Sequence, residues 1–372
     1  MKTNKTRVLL SWFFAALMPL VANAYDFEKD GIYYAFVYQS NNAVAVTLGM
    51  PLETRGSLSG LFDGSDNLFS GNSDKYSGEV VIPSTVTYNN ATYTVASIAN
   101  FAFADCHKVT SIVVPESVTA IGKGAFWNCS NLTSITLPEK LDILGADSPG
   151  SNWQMELDIK FGDGSSVDLA AVFYGCSSLT SIVIPEGVKS ITGLAFADCA
   201  SLTSVTIPAS VKSIEGVAFW NCTGLTSITI PEGVESIGSG SFYECGNLTS
   251  VTIPNSMRSI GYGAFWGCTK LLNVYCHAQE VPSTGEVVFD DSIYGYATLY
   301  VPAGSLESYK TTSPWSNFYK IVSGDEAGIV TPSDANGMAD IYTLDGQCMG
   351  NLRRGVNIVR MSDGAIKKVY VK

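Results

Sequence analysis

Ala218-Phe219-Trp220-Asn221-Cys222-Thr223-Gly224-Leu225-Thr226-Ser227-Ile228-Thr229-Ile230-Pro231-Glu232-Gly233-Val234-Glu235-Ser236-Ile237-Gly238-Ser239-Gly240 is one period of this chain. The same beat returns on both sides of it. Cysteine recurs at Cys106, Cys129, Cys176, Cys199, Cys222, Cys245 and Cys268, every 23 residues apart from one gap of 47. Proline keeps time at Pro115, Pro138, Pro185, Pro208, Pro231 and Pro254. Self-similarity at a fixed period of this length is the signature of a stacked repeat architecture.

Each part of the unit has a physical reading. In Leu225-x-x-Ile228-x-Ile230 apolar residues face inward and alternate with outward Thr and Ser, as a strand requires. Pro231 ends that strand because it has no N–H for the ladder. Val234 and Ile237 give a second apolar edge, Gly238 allows a turn, and the next Ala-Phe brings the chain back inside. One rung cannot bury these faces alone, whereas stacked rungs bury a continuous core. The fold expected is mainly β: a right-handed leucine-rich-repeat β-solenoid of about eight rungs, capped by β structure at both ends. The 47-residue gap is read as 23 plus 24 and holds a degenerate rung. Its strand is Leu157, Ile159 and Phe161, with Ile159 and Phe161 opposite Ile135 and Leu137, and Trp153 opposite Cys129.

Composition sets the outer limits. Hydrophobic residues make up 46% of 372, enough for a core, and charged residues only 15%. The formal charge of −12 repels phosphate backbones, and no basic stripe offsets it, so nucleic acid is excluded as a partner. Lys2, Lys5 and Arg7, the apolar run Val8 to Val21 and Ala22-Asn23-Ala24 read as a secretory signal over residues 1–24. No later stretch is long and apolar enough to span a bilayer. The expected location is therefore outside the cell, at the surface or outer membrane, or secreted.

The unit resembles the BspA-like leucine-rich-repeat proteins of Bacteroides-type bacteria, a family of cell-surface antigens and adhesins. In that resemblance residues 25–80, with Tyr25-Asp26-Phe27 and Gly31-Ile32-Tyr33-Tyr34, form an N-terminal β cap. Residues 81–276 form the solenoid, whose first rung is Val81-Ile82-Pro83 with Tyr93-Thr94-Val95 and Ile98. Asn89-Asn90 sits at a hairpin tip within it. Residues 277–322 close it through Leu299-Tyr300-Val301-Pro302, Tyr309, Pro314-Trp315 and Phe318. After a linker at 323–337, residues 338–372 read as three short strands. They resemble the C-terminal sorting domain of type IX secretion, although they are short and Asn357 stands where that family carries Tyr; a plain β-module is the other reading.

Reactive groups are sparse. The only histidines, His107 and His277, each follow a cysteine, and no further ligand cluster joins them, so no metal, cofactor or catalytic residue is expected. The degenerate segment 139–166 lacks histidine and any nucleophile motif. The repeat cysteines are read as a buried, reduced column packing as small hydrophobes. Two surface columns remain. The position after each repeat Phe reads Ala104, Trp127, Tyr174, Ala197, Trp220, Tyr243 and Trp266. Its tolerance of Ala argues against a fixed core volume, and surface aromatics serve protein or glycan recognition. Trp127, Tyr174, Trp220, Tyr243 and Trp266 are the candidate binding residues. The second column is the Thr/Ser face, for which stacking between strands is a sufficient explanation. The expected function is adhesin-like binding of host or neighbouring-cell surface proteins or matrix proteins; carbohydrate binding through the aromatic column is the rival.

Overall fold

The computed structural model describes residues 25–37, 42–47, 76–146, 170–285 and 287–323, and beyond these the backbone of strands within 158–168 and 329–371. The chain winds as a β-solenoid of about nine turns. Each turn has three sides. A long strand such as Ser227–Thr229 lies on one, a two-residue strand such as Ser236–Ile237 on the second, and a tight turn carrying the Ala-Phe pair on the third. Both strand sides form parallel ladders in which equivalent residues pair: Ser227 with Ser250, Ser236 with Ser259.

The core is a stack of rings. Phe103, Phe126, Phe173, Phe196, Phe219, Phe242, Phe265 and Phe289 follow one another with centroids 5.1–5.7 Å apart and nearly parallel planes, every ring buried. Tyr76 continues the column at the N-terminal end, 4.8 Å from Phe103. Inward Leu, Ile and Val of both ladders complete one continuous cluster. Holding the rungs this close requires glycine where backbones nearly touch. A Cβ on Gly238 would collide with the backbone of Gly216, and one on Gly261 with that of Ser239.

The interior of the long cysteine gap differs from expectation. Phe126 stacks directly on Phe173, 5.1 Å away, so no rung lies between them. Asp158–Lys160 instead pairs antiparallel with Ser166–Asp168, Ile159 opposite Val167. Within the insertion these two strands pair with each other and, among the described residues, not with a strand of either ladder. Trp153 and Phe161 lie outside the described residues. The rung lost here is made up at the ends: Tyr76 and Phe289 both extend the ring column.

Both ends carry structure beyond the regular rungs. At the N-terminus Phe27–Lys29 and Ile32–Phe36 form a hairpin turning at Asp30-Gly31, and Ala43–Val46 joins it to the short-strand ladder. The Asn89-Asn90 tip has φ of 48° and 62°, the left-handed pair a two-residue hairpin needs. At the C-terminus Thr298–Val301 and Lys320–Ser323 prolong the long ladder, while the helix Leu306–Thr311 brings Tyr309 under Trp315, edge to face at 5.5 Å. The C-terminal strands number five among the described residues, two more than the sequence suggested. Met338–Tyr342, Gly355–Met361 and Ile366–Val371 form the antiparallel centre. Cys348–Met349 adds one edge, and Ile329–Val330, inside the expected linker, pairs parallel at the other. The leader expected over 1–24 lies outside the described residues.

Removing one ring from the middle of the column tests this core. Phe219→Ala is expected to lower stability by about 3–5 kcal/mol, whereas Thr229→Ala on the outer face changes it by about 0.5 kcal/mol or less. Urea denaturation followed by circular dichroism measures both.

Candidate binding surface

On the turn side, the residue before each repeat cysteine is held in the left-handed region: Asp105 (φ 58°), Asn128 (54°), Gly175 (72°), Asp198 (58°), Asn221 (56°), Glu244 (59°) and Gly267 (76°). Asn, Asp and Gly tolerate that conformation best. Neighbours link across rungs, with Asn128 Nδ2 donating to Asp105 Oδ1 at 2.8 Å and Asn221 Nδ2 to Asp198 Oδ1 at 2.7 Å. This geometry fixes the aromatic column one residue earlier, and the column is less open than its sequence suggests. Trp127 is only 3% exposed, lying 4.6 Å from Tyr174 and 6.5 Å from Phe101, so it cannot offer a face to a partner. Ala104 and Ala197 are also buried; the alanines belong where the turn has no room. Tyr174 is half-buried, and burial first and then the Asp198 carboxylate push its hydroxyl up. Trp220, Tyr243 and Trp266, on three consecutive rungs, remain half-exposed.

Beneath them runs a thiol ladder. Cys129 Sγ donates to the carbonyl of Phe103 at 3.0 Å, Cys176 to Phe126 at 3.2 Å, Cys199 to Phe173 at 3.2 Å and Cys222 to Phe196 at 3.0 Å. Cys245 and Cys268 repeat the contact with Phe219 and Phe242. All are free and fully buried. Each of these carbonyls already accepts the backbone N–H of the cysteine in its own rung, and the thiol of the next rung adds a second, weaker donor to its remaining lone pair. Burial pushes these thiols up, Cys245 to about 12. Cys276 is raised to about 11 and meets Tyr309 Oη at 3.2 Å, while its neighbour His277 is exposed on the opposite side of the strand. His107 Nδ1 lies 3.1 Å from Ser130 Oγ, with Asp105 Oδ1 3.9 Å from its Nε2. That carboxylate is beyond hydrogen-bond reach of the imidazole and accepts from Asn128 instead, so the trio is not a nucleophile–base relay. Among the described residues no group of His, Cys, Asp and Glu is arranged to hold a metal.

The long-strand face is built of columns. Thr110, Thr133, Thr180, Thr203, Thr226 and Thr249 form one column, in which the hydroxyls of Thr133, Thr180, Thr203 and Thr249 donate to the carbonyl one rung back, Thr133 to Thr110 and Thr249 to Thr226 both at 2.9 Å. Those hydroxyls are structural. The column changes character at its C-terminal end, where the next positions are Leu272, half exposed, Ala297, buried, and Tyr319, 88% exposed. In the neighbouring column Thr206, Thr229 and Thr252 give way to Tyr275 and Tyr300, stacked 4.6 Å apart. Tyr296, 47% exposed, flanks them. Sequence reasoning followed the repeating residues and missed this cluster; the signal was present as the loss of Thr at Leu272 and Tyr275. On the short-strand face a shallow groove of about 350 Å³ runs past Ser236, Ser259 and Ser283, floored by glycines already required for backbone packing. At its end Glu215 accepts from Ser190 and Ser213.

This architecture coincides with a family model for the BspA type leucine rich repeat region, matched in six copies over residues 81–149 and 170–294. The chain belongs to that family. The unmatched interval between those stretches contains the insertion. Among solved structures, the chain is similar to a leucine-rich repeat protein from Bacteroides ovatus, with 25% identity, 81% of this chain and 77% of that one covered, and a TM-score of 0.45. It is also similar to a leucine rich cell surface protein from Faecalibacterium prausnitzii, with 20% identity, coverage of 83% and 96%, and a TM-score of 0.40. The pneumococcal vaccine antigen PcpA matches at 15% identity, with coverage of 80% and 98% and a TM-score of 0.34. No curated protein matches the chain. Among the described residues no helix is long and apolar enough to cross a membrane.

The thiol ladder makes a prediction in alkali. A thiol pKa raised on folding contributes stability that is complete below the unfolded value, near 9, and is lost as pH climbs toward the folded value, about 12 for Cys245. Urea midpoints are expected to be flat from pH 7 to 8 and to fall progressively above 9. At pH 8 a disulfide thiol reagent is expected to leave the repeat cysteines unmodified in the native chain and to titrate them once denaturant is added.

Proposed function

We propose that this protein is an exported, non-catalytic surface protein that binds extracellular macromolecules in the manner of an adhesin, with proteins of a host, a neighbouring cell or the matrix as its partners. Membership of the BspA-type family, whose likeness includes a cell-surface protein, supports the location. The observation that carries the binding reading is the end of the long-strand face. There the self-satisfied threonine columns stop, and Leu272, Tyr275, Tyr300 and Tyr319 replace them outside the core. Exposed tyrosines offer large apolar area with few rotatable bonds and a polar tip, the composition of protein hot spots. An uncharged hydroxyl face leading up to them gives a flat approach for a broad partner.

Binding of the full chain to a panel of immobilised extracellular-matrix proteins tests this. At least one member is expected to bind, and Tyr275→Ala with Tyr319→Ala is expected to weaken it by about tenfold or more. No binding anywhere on the panel, or binding indifferent to both changes, would rule the reading out.

A second reading rests on Trp220, Tyr243 and Trp266, which stand in register on the turn side and leave part of each ring in solvent. Aromatic surfaces at successive rungs suit the apolar faces of sugar rings. A glycan array probed with the chain and with its Trp220→Ala, Tyr243→Ala, Trp266→Ala variant separates the two readings: glycan binding lost in the variant favours carbohydrate, while matrix-protein binding retained in it favours the strand face.

A further inference from the structure

Among the described residues the long-strand ladder ends in two edge strands. Gly78–Val81 pairs only with Val109–Val113, and Lys320–Ser323 only with Thr298–Val301, among the described residues. All strands between them run parallel, so the two edges face opposite ways along the axis but point in the same chain direction. Following the pairings from end to end, one outward column reads Glu79, Ser111, Ser134, then Ser181, Ser204, then Ser227, Ser250, Asn273, Thr298 and Lys320. The column is uncharged throughout except at its two termini, which carry opposite charges, and both are exposed. The inward column ends in Val80 and the half-buried Ile321. The second outward column ends in Val81, 59% exposed, and Val322, half-exposed.

We infer that copies of this chain associate head to tail, with Lys320–Ser323 of one copy adding as the next parallel strand beyond Gly78–Val81 of another. In the register of the existing ladder Lys320 falls opposite Glu79, Ile321 opposite Val80 and Val322 opposite Val81. Each pair matches in charge or in apolar character, and directly opposed side chains are the unit of sheet stabilisation. The backbone groups of each edge strand find partners in the same step. Charge also selects the polarity. Only unlike edges can continue the parallel ladder in register with Lys320 opposite Glu79, whereas two like edges would meet antiparallel and bring together ends of the same charge. Such a contact uses different surfaces on the two copies and does not close on itself, so it propagates as a linear array. The outward columns stay exposed along its length.

Sedimentation of the full chain over a concentration series at low salt tests the inference without any foreign ligand. Wild type is expected to gain mass with concentration and to lose it as salt screens the end pair. Lys320→Glu and Glu79→Lys, each alone, are expected to weaken association by roughly tenfold or more. An equimolar mixture of these two variants restores unlike ends at every junction and is expected to recover the wild-type behaviour. A chain that stays monomeric at every concentration overturns the proposal, as does association that Lys320→Glu leaves unchanged or that the mixture fails to restore. Both positions are exposed on the outer face, and unchanged circular dichroism and denaturation midpoints confirm that each variant folds.

Discussion

A ring stacked on a ring every 23 residues is the constraint from which most other features of this molecule follow. If Phe219 is to lie 5.3 Å from Phe196 and 5.2 Å from Phe242, every intervening corner must return the backbone to the same place. That demand explains glycines where a Cβ would strike the neighbouring rung. It explains the left-handed residue before each repeat cysteine, which is Asn, Asp or Gly in every rung but that of Glu244. It also explains a side chain as small as cysteine at a site where the group must both fill space and donate to the carbonyl of the rung behind. A serine there would donate as well but would bring a more strongly solvated hydroxyl into an apolar column.

How far the sequence could be read depends on which residues answer to this constraint. The repeating positions were legible because each must satisfy the same geometry in every rung: strand alternation, proline at the strand end, the buried thiols and the Asn89-Asn90 hairpin all follow from local chemistry. The insertion was misread because Leu157, Ile159 and Phe161 alternate as any strand does; alternation gives the period of a strand but not its partner. Whether such a segment pairs with a rung 23 residues away or with a neighbouring strand cannot be read from alternation, and here Asp158–Lys160 pairs with Ser166–Asp168. Trp127 was misjudged for a related reason. Variation between Ala and Trp suggests a surface, yet Ala104 and Trp127 are both buried, so a small and a large residue share that layer at this end of the column.

The division of labour between columns is equally physical. A solenoid spends its inward positions on the core and many of its outward ones on holding rungs together: the threonine hydroxyls reach back to carbonyls, and Glu116 and Glu232 accept backbone N–H groups of the following rung. What is left for recognition is the place where a column departs from its own rule. Leu272, Tyr275, Tyr300 and Tyr319 depart together at one end, and Trp220, Tyr243 and Trp266 do so along one corner. Individuality in this molecule is therefore written as exceptions, and a consensus of the repeat would erase it.

The insertion between Phe126 and Phe173 carries one more consequence. Because Phe126 and Phe173 stack directly, the residues between them leave the axial rise untouched. Chain length and solenoid length are thereby uncoupled at that point, which acts as a splice site. Residues can be added, exchanged or lost there without altering the Phe126–Phe173 stack, so a lineage carrying this scaffold can renew the insertion while its ring column stays the same.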